Sequence, residues 1–145
     1  MKGKTLGIFA FVFCIVACSK DKFQTKPKLT LKSYNTKTLS PGQELVISYE
    51  YTDKEGDLAD GKLVYSALRL NEIPYDPSYP DSVETVLSNE IPNKNKGEID
   101  LRLLYINLHR SDAENDTIQI RTWLVDAAGN RSDTLKSDQL VILTP

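Results

Sequence analysis

The segment Thr117–Asp133, TIQIRTWLVDAAGNRSD, carries the clearest fold signal in this sequence. Its first part, Thr117–Val125, alternates apolar and polar residues with the period of two that is typical of a half-buried strand. The aliphatic residues on one face of that strand are Ile118, Ile120 and Leu124. The second part, Asp126–Asp133, is rich in turn residues, and Gly129 supplies a positive φ at little steric cost. The segment therefore predicts a strand that ends in a tight turn.

Similar alternating runs recur along the chain, separated by turn residues. The predicted strands are Leu29–Tyr34, Glu44–Tyr51, Lys62–Leu70, Glu98–Ile106, Thr117–Val125 and Asp138–Thr144. The second of these runs places on one face Leu45, Ile47, Tyr49 and Tyr51. The long proline-rich connection Asn71–Lys96 adds a short edge strand near Val83–Leu87. Because no helical segment is available as a crossover, we expect antiparallel pairing, in one all-β, Ig-like antiparallel β-sandwich of about seven strands.

Two motifs strengthen this expectation by resemblance. Thr122–Leu135, TWLVDAAGNRSDTL, resembles the end of bacterial Ig-like and fibronectin-III-like modules. Tyr49–Asp60, YEYTDKEGDLAD, resembles the Thr-Asp-x-Glu/Asp-Gly-Asp-Leu stretch that follows an early strand in cadherin-like modules. The resemblance implies a β-sandwich. It does not extend to antibody-type domains, because there is no cysteine pair and Trp123 lies on the sixth predicted strand rather than the third.

The start of the chain has the pattern of an export signal. Two lysines precede the apolar run Leu6–Ala17, which is shorter than the roughly 20 residues that a membrane-spanning helix needs. Ile15–Cys18 resembles the lipobox of bacterial lipoproteins. The resemblance implies cleavage before Cys18, lipid attachment to its sulfur and acylation of its new amine, which together anchor the protein to a membrane. The alternatives are an ordinary cleaved signal, or a short anchor helix with a chance cysteine.

These features divide the chain into three parts. Residues 1–17 form the lipoprotein signal peptide, residues 18–28 form a lipidated tether, and residues 29–145 form the Ig-like domain. Ser19 is not the Asp commonly associated with inner-membrane retention, so we expect an outer-membrane anchor in the cell envelope, facing either the periplasm or the surface. The tether lysines either approach anionic headgroups or only keep the tether soluble.

Composition excludes several chemistries. The sequence has two cysteines, of which Cys14 leaves with the signal and Cys18 carries lipid, so the mature domain has no disulfide, zinc–thiolate site or cysteine nucleophile. Removing the signal lysines leaves 16 basic residues of 18 against 20 acidic ones. The mature net charge is therefore near −4. This charge, with no basic patch in the sequence, predicts that nucleic acid is not a partner.

An acidic loop is the strongest candidate for a ligand site. The segment Tyr51–Gly61, YTDKEGDLADG, contains carboxylates at spacings that suit Ca²⁺, although it does not match the EF-hand pattern. In an Ig-like sandwich the loop Thr52–Gly61 and the turn Asp126–Asp133 emerge at the same pole, which brings a further carboxylate into reach. The predicted calcium ligands are Asp53, Glu55, Asp57, Asp60 and Asp126.

Two interpretations without a metal remain open for this loop. In the first, Lys54 and Arg131 neutralise the carboxylates as ion pairs. In the second, Asp53 caps its own turn, Asp126 orders its own hairpin, and the other carboxylates are solvated. No cofactor other than Ca²⁺ is indicated.

Catalysis is not indicated by the sequence. His109, the only histidine, sits in a polar corner without a patterned nucleophile, and a triad needs nucleophile, base and orienting group together. Carboxylate pairs hydrolyse glycosides only within a substrate cleft, for which a domain of this size offers little room. We therefore expect no catalytic residues and a non-enzymatic binding or structural module with an unknown protein or glycan partner.

The alternative function is an accessory glycan-binding lipoprotein of a carbohydrate-uptake system. The aromatic residues that would face a sugar are Tyr75, Tyr79 and Trp123. Prolines beside the two tyrosines would stiffen that face and reduce the entropy lost on binding. Packing of a long loop onto the sandwich explains the same tyrosines without a ligand.

Three short segments resemble the Asp-Ser/Thr-aliphatic acceptors that some Gram-negative bacteria O-glycosylate on exported proteins. They are Asp81–Val83, Asp116–Ile118 and Asp133–Leu135. Asp-Ser and Asp-Thr pairs also suit turns, so the motif alone does not establish modification.

Overall fold

The computed structural model describes residues 26–73, 82–86 and 94–145, and for 82–86 the backbone alone. The strands are β1 (Lys28–Tyr34), β2 (Thr38–Leu39), β3 (Glu44–Thr52), β4 (Lys62–Arg69), β5 (Ser82–Val86), β6 (Lys96–Leu104), β7 (Asp116–Val125), β8 (Leu135–Lys136) and β9 (Leu140–Ile142). One short helix, α1 (Tyr105–Leu108), lies between β6 and β7. Cys18, Tyr75, Tyr79 and Asp81 lie outside the described residues.

The strands form two sheets. The first has the order β1-β3-β6, and the second has the order β2-β9-β7-β4-β5, with β8 paired to β7. Apolar residues from both sheets make one core, which includes Leu45, Ile47, Leu63, Ile118 and Leu124. The predicted all-β sandwich is confirmed.

The predicted faces of Glu44–Tyr51 and Thr117–Val125 are also confirmed. In β3 the buried residues are Leu45, Ile47, Tyr49 and Tyr51. In β7 they include Ile118, Ile120 and Leu124, each fully shielded from solvent. Alternation with period two is reliable here because each strand turns one face to the core and the other outward.

Three details of the predicted strands are wrong. Pairing is not antiparallel throughout, because β2 pairs with β9 in parallel. These two strands are distant in sequence, so the rest of the domain connects them and no helical crossover is needed. The predicted strand Glu98–Ile106 ends at Leu104, since the chain turns into α1 two residues earlier. The predicted strand Asp138–Thr144 is shorter in the structure, where it covers only Leu140–Ile142.

A buried hydrogen bond links the sheets. The Tyr49 hydroxyl of the first sheet lies 2.8 Å from Thr122 Oγ1 of the second, and either oxygen can donate. Burial raises the pKa of Tyr49 to about 12, although the bond to Thr122 opposes this rise. The folded protein therefore favours the protonated phenol.

This raised pKa predicts a loss of stability at high pH. Below pH 10 the phenol is protonated in both states, whereas between pH 10 and pH 12 only the unfolded state releases its proton. The free energy of unfolding should fall by roughly 2 kcal/mol over that interval on account of Tyr49. Urea unfolding measured from pH 9 to pH 12 checks this. Tyr49→Phe should show a shallower fall, and identical slopes in the two proteins would contradict the assignment.

Among the described residues, no helix is long and apolar enough to cross a membrane.

Candidate metal centre

Two loops from different sheets meet at one end of the sandwich, which we call the acidic pole. Residues 53–61 follow β3 of the first sheet, and residues 126–134 follow β7 of the second. The Ala127 amide donates a hydrogen bond to the Asp57 carbonyl, with a distance of 3.1 Å. Gly61 permits this approach, because a Cβ at that position would lie only 2.5 Å from the Val125 carbonyl oxygen. The two loops are therefore held together by backbone contacts.

This approach gathers four carboxylates. One oxygen from each of Asp53, Glu55, Asp57 and Asp126 lies within 4.8 Å of the others. The structure thus brings together four of the five predicted ligands, including the one from the second loop. Asp60 is not in this group: it is exposed and has a φ of 68°, in the turn that precedes Gly61. The group could hold a metal ion.

Asp53 is the most buried member of the group, with 1% of its surface exposed. Its Oδ2 accepts a hydrogen bond from the Asp57 amide at 3.1 Å, as a side-chain cap of its own turn would. Its Oδ1 is buried and has no hydrogen-bond partner. The turn-capping interpretation therefore accounts for Oδ2 alone. A buried polar atom without a hydrogen-bond partner, such as Oδ1, is unusual.

Asp126 has a second role beside its place in the group. Its two carboxylate oxygens accept hydrogen bonds from the Asn130 amide at 2.6 Å and from Asn130 Nδ2 at 2.8 Å. Asp126 therefore orders its own turn, as one of the metal-free interpretations predicted. Carboxylate oxygens have two lone pairs each, so these bonds do not prevent it from also contacting a cation.

The four carboxylates of this group are not paired with basic side chains. Within residues 26–73 and 94–145, no ion pair joins a lysine or arginine to any of the four carboxylates. Arg131 instead lies over the Trp123 ring, 4.3 Å from its centre, and donates to Thr134 Oγ1 at 2.9 Å. Burial, followed by the proximity of Asp53 and Asp126, raises the pKa of Asp57. Both effects disfavour the ionised form of the Asp57 carboxyl relative to its protonated form.

A third segment, which contains Asn95, forms hydrogen bonds to the backbone of the first loop. The Asp53 amide donates to the Asn95 carbonyl at 2.8 Å, and Asn95 Nδ2 donates to the Lys54 carbonyl at 2.7 Å. Sequence reasoning missed Asn95. It is distant in sequence from the loop, and a single asparagine before a strand carries no signal for such a contact.

The other predicted site residues lie away from this group. His109 stacks on Tyr105 with ring centres 5.0 Å apart, and its Nε2 is 3.8 Å from Asp112 Oδ1. No serine, threonine or cysteine among the described residues forms a hydrogen bond with His109. Nothing described there assembles a triad.

Of the three aromatic residues in the glycan-binding hypothesis, the structure describes only Trp123, and its ring is only partly accessible to a ligand. Trp123 is half-buried on β7, and the Arg131 guanidinium covers one face of its ring.

Of the segments that resemble O-glycosylation acceptors, Asp116–Ile118 lies within β7 and its aspartate is fully buried. In Asp133–Leu135 the acceptor residue Thr134 is exposed.

Comparisons with known proteins identify no family for this chain, although several solved structures are similar to it. No family model matches the sequence, and no curated protein matches it. Among solved structures, the chain is similar to the sporulation control protein Spo0M from Bacillus subtilis, with 10% identity, a TM-score of 0.47 and coverage of 83% of this chain and 50% of that one.

Two further structures are similar. A cohesin module from a Clostridium perfringens family 33 glycoside hydrolase has 14% identity and a TM-score of 0.41, with coverage of 83% of this chain and 99% of that one. A beta-glucosidase from Listeria innocua has 11% identity and a TM-score of 0.42, with coverage of 77% and 16%. The chain thus spans half the length of Spo0M and a small part of the glucosidase.

Proposed function

We propose that this protein is a lipid-anchored envelope lipoprotein whose β-sandwich is a non-enzymatic module that binds Ca²⁺ at its acidic pole. The observation that carries the metal site is the buried, unpaired Oδ1 of Asp53 within a group of four carboxylates. A buried acceptor without a donor is unfavourable by about 1–3 kcal/mol, and more when it is charged. A bound cation would remove that penalty and the repulsion between the carboxylates.

The donor set favours calcium over other metals. The four candidate ligands are all carboxylates, with no histidine or cysteine among them. Hard oxygen donors suit Ca²⁺ and Mg²⁺, whereas zinc and copper prefer nitrogen or sulfur. Ca²⁺ accepts six to eight oxygens in flexible geometry, which fits ligands that come from two separate loops.

Calcium binding should stabilise the protein, and one asparagine substitution should abolish that effect. At a Ca²⁺ concentration ten times the dissociation constant, the free energy of unfolding should rise by about 1.4 kcal/mol. Asp53→Asn should remove this gain and the heat measured by titration calorimetry. Without Ca²⁺ it should change stability by less than about 1 kcal/mol, because the amide oxygen can still accept from the Asp57 amide.

The matched control for this substitution lies in the same loop. Asp60→Asn removes one negative charge from an exposed residue outside the group, and asparagine tolerates its positive φ. Its calcium affinity should stay within about threefold of that of the unsubstituted protein, since exposed charges are screened. Absence of heat and of any shift in melting temperature at millimolar Ca²⁺ would refute the metal site.

The anchor rests on the lipobox-like segment ending at Cys18. Labelling with radioactive palmitate in the native bacterium, together with intact-mass measurement of the membrane fraction, tests it. Cys18→Ser should abolish the label and leave an uncleaved or soluble protein. Label that persists in Cys18→Ser would refute lipid attachment at this residue.

A further inference from the structure

The acidic pole is also the end at which the chain leads toward the tether. Lys28, the first residue of β1, pairs with Thr52, the last residue of β3, and Thr52 also pairs with Lys96 of β6. Asp53, the first residue of the acidic group, follows Thr52 directly. Lys26 lines the same cavity as Asn130 and Arg131 of the second loop. A domain held by its N-terminal tether would therefore turn this pole toward the membrane.

Exposed cations surround the acidic group at this pole. Lys28 and Lys96 lie on one rung of the first sheet, and Lys94 precedes Asn95, which bonds to the backbone of Lys54. The exposed cations of the pole are Lys26, Lys28, Lys54, Lys94, Lys96 and Arg131. Among described residues, an ion pair is formed by only one of these six, Lys96 with Glu50.

Cations elsewhere on the sandwich are arranged differently. Lys32 pairs with Glu98, Lys37 with Asp138, Arg69 with Asp116, and Arg102 with Glu44 and Asp100. Their charges are thus largely matched by carboxylates of the protein itself. Among the exposed cations outside the pole that the structure describes, only Lys136 forms no ion pair with a carboxylate, whereas five of the six at the pole form none.

We propose that the acidic pole is a docking surface for the anionic phospholipid headgroups of the membrane that carries the anchor, and that a bound divalent cation strengthens this docking. Both the anchored membrane and the bound cation rest on the proposed function. The carboxylates of the pole oppose approach to an anionic surface, and they include the exposed Asp60 and Asp133 besides the four of the group. A divalent ion cancels half of the charge of those four. Because Ca²⁺ takes six to eight oxygens, lipid phosphate oxygens can complete the coordination that the group begins.

The tether has a length that permits this contact. Residues 18–28 span at most roughly 40 Å when extended. A pole that starts at Lys28 therefore remains within that distance of the bilayer, where the local concentration of headgroups is high. Weak contacts are sufficient under these conditions, since the lipid anchor supplies the membrane affinity.

The experiment uses a chain of residues 19–145, which lacks Cys18 so that any membrane binding comes from the domain and tether. This chain contains every described strand and the whole core, which lie between Lys28 and Ile142. It is sedimented with vesicles of phosphatidylcholine, with or without phosphatidylglycerol, in 1 mM Ca²⁺ or in chelator. Energy transfer from Trp123, the only tryptophan, to a dansyl-labelled headgroup gives a second readout.

We expect binding to anionic vesicles only, with partitioning at least threefold stronger in Ca²⁺ than in chelator. Lys28→Gln, Lys54→Gln and Lys94→Gln together should weaken partitioning by tenfold or more, because each cation near the surface contributes about fivefold. The matched control neutralises three exposed lysines elsewhere: Lys32→Gln, Lys37→Gln and Lys136→Gln. It should stay within about threefold of the unsubstituted chain.

The outcomes separate this proposal from the calcium site. Calorimetric heat from Ca²⁺ without binding to anionic vesicles, or an equal loss in the two triple variants, would overturn the docking surface and leave the proposed function intact. Absence of that heat, with equal vesicle binding in Ca²⁺ and in chelator, would overturn the cation part and the calcium site together. Release by inorganic phosphate at constant ionic strength would indicate a simple anion site and overturn docking to a bilayer.

Discussion

Replacing Asp116 by alanine is expected to lower the free energy of unfolding by about 3–5 kcal/mol, which is typical for breaking a buried ion pair. Asp116 is fully buried, and its Oδ1 lies 3.3 Å from Nη1 of Arg69, whose side chain is also buried. Its Oδ2 accepts hydrogen bonds from the Arg110 amide at 2.7 Å and the Ser111 amide at 3.2 Å. Alanine removes all three charge-assisted contacts at once and takes the carboxylate away from a buried guanidinium.

Urea unfolding of residues 19–145 at neutral pH measures this effect. Asp116→Asn should be less damaging than Asp116→Ala, because it retains an acceptor for the backbone amides while losing the charge. The control is Asp138→Asn, which breaks the exposed pair with Lys37 and should cost less than about 1 kcal/mol. Similar losses for Asp116→Ala and Asp138→Asn would mean that the Arg69–Asp116 contact does not hold the fold together.

The sequence was most informative where burial repeats along a strand. The alternation in β3 and β7 predicted their buried faces because each residue position reports independently on the same face. The convergence of the two acidic loops followed from sandwich topology, in which strands of facing sheets end at a common pole. These are properties that a local pattern and a fold class determine together.

Other features depend on contacts that a single sequence does not encode. The strands β2 and β8 have two residues each, which is too short for a period to be visible. Asp116 belongs to an Asp-Thr pair of the kind that suits turns, yet it starts β7 and is fully buried, with its carboxylate against the buried Arg69 guanidinium. Asp60 has the same residue type as Asp53 and Asp57, so the sequence does not distinguish it from them, although in the structure it is exposed, has a φ of 68° and lies outside the group.

Gly61→Ala is the substitution that should affect both stability and the candidate metal centre. A Cβ at Gly61 would lie 2.5 Å from the Val125 carbonyl oxygen and 2.9 Å from that of Leu58, and both are backbone atoms that cannot rotate away. The loop that carries Asp53 must then move away from Asp126. We expect a loss of about 3 kcal/mol in the free energy of unfolding, at the upper end of the usual range for overpacking. Calcium affinity should fall at least tenfold, because the four oxygens no longer converge.

The control for this substitution is Gly42→Ala, which separates a general loss of stability from displacement of the loops. Gly42 has a φ of 78° and open space where a methyl group would be added, so alanine there costs about 1–2 kcal/mol through the left-handed backbone alone. It lies in the turn before β3, at the opposite end of that strand from Asp53. Calcium affinity should therefore be unchanged in Gly42→Ala. If both alanine variants bind Ca²⁺ like the unsubstituted chain, the close packing at Gly61 does not position the carboxylates, and the geometry proposed for the site is wrong.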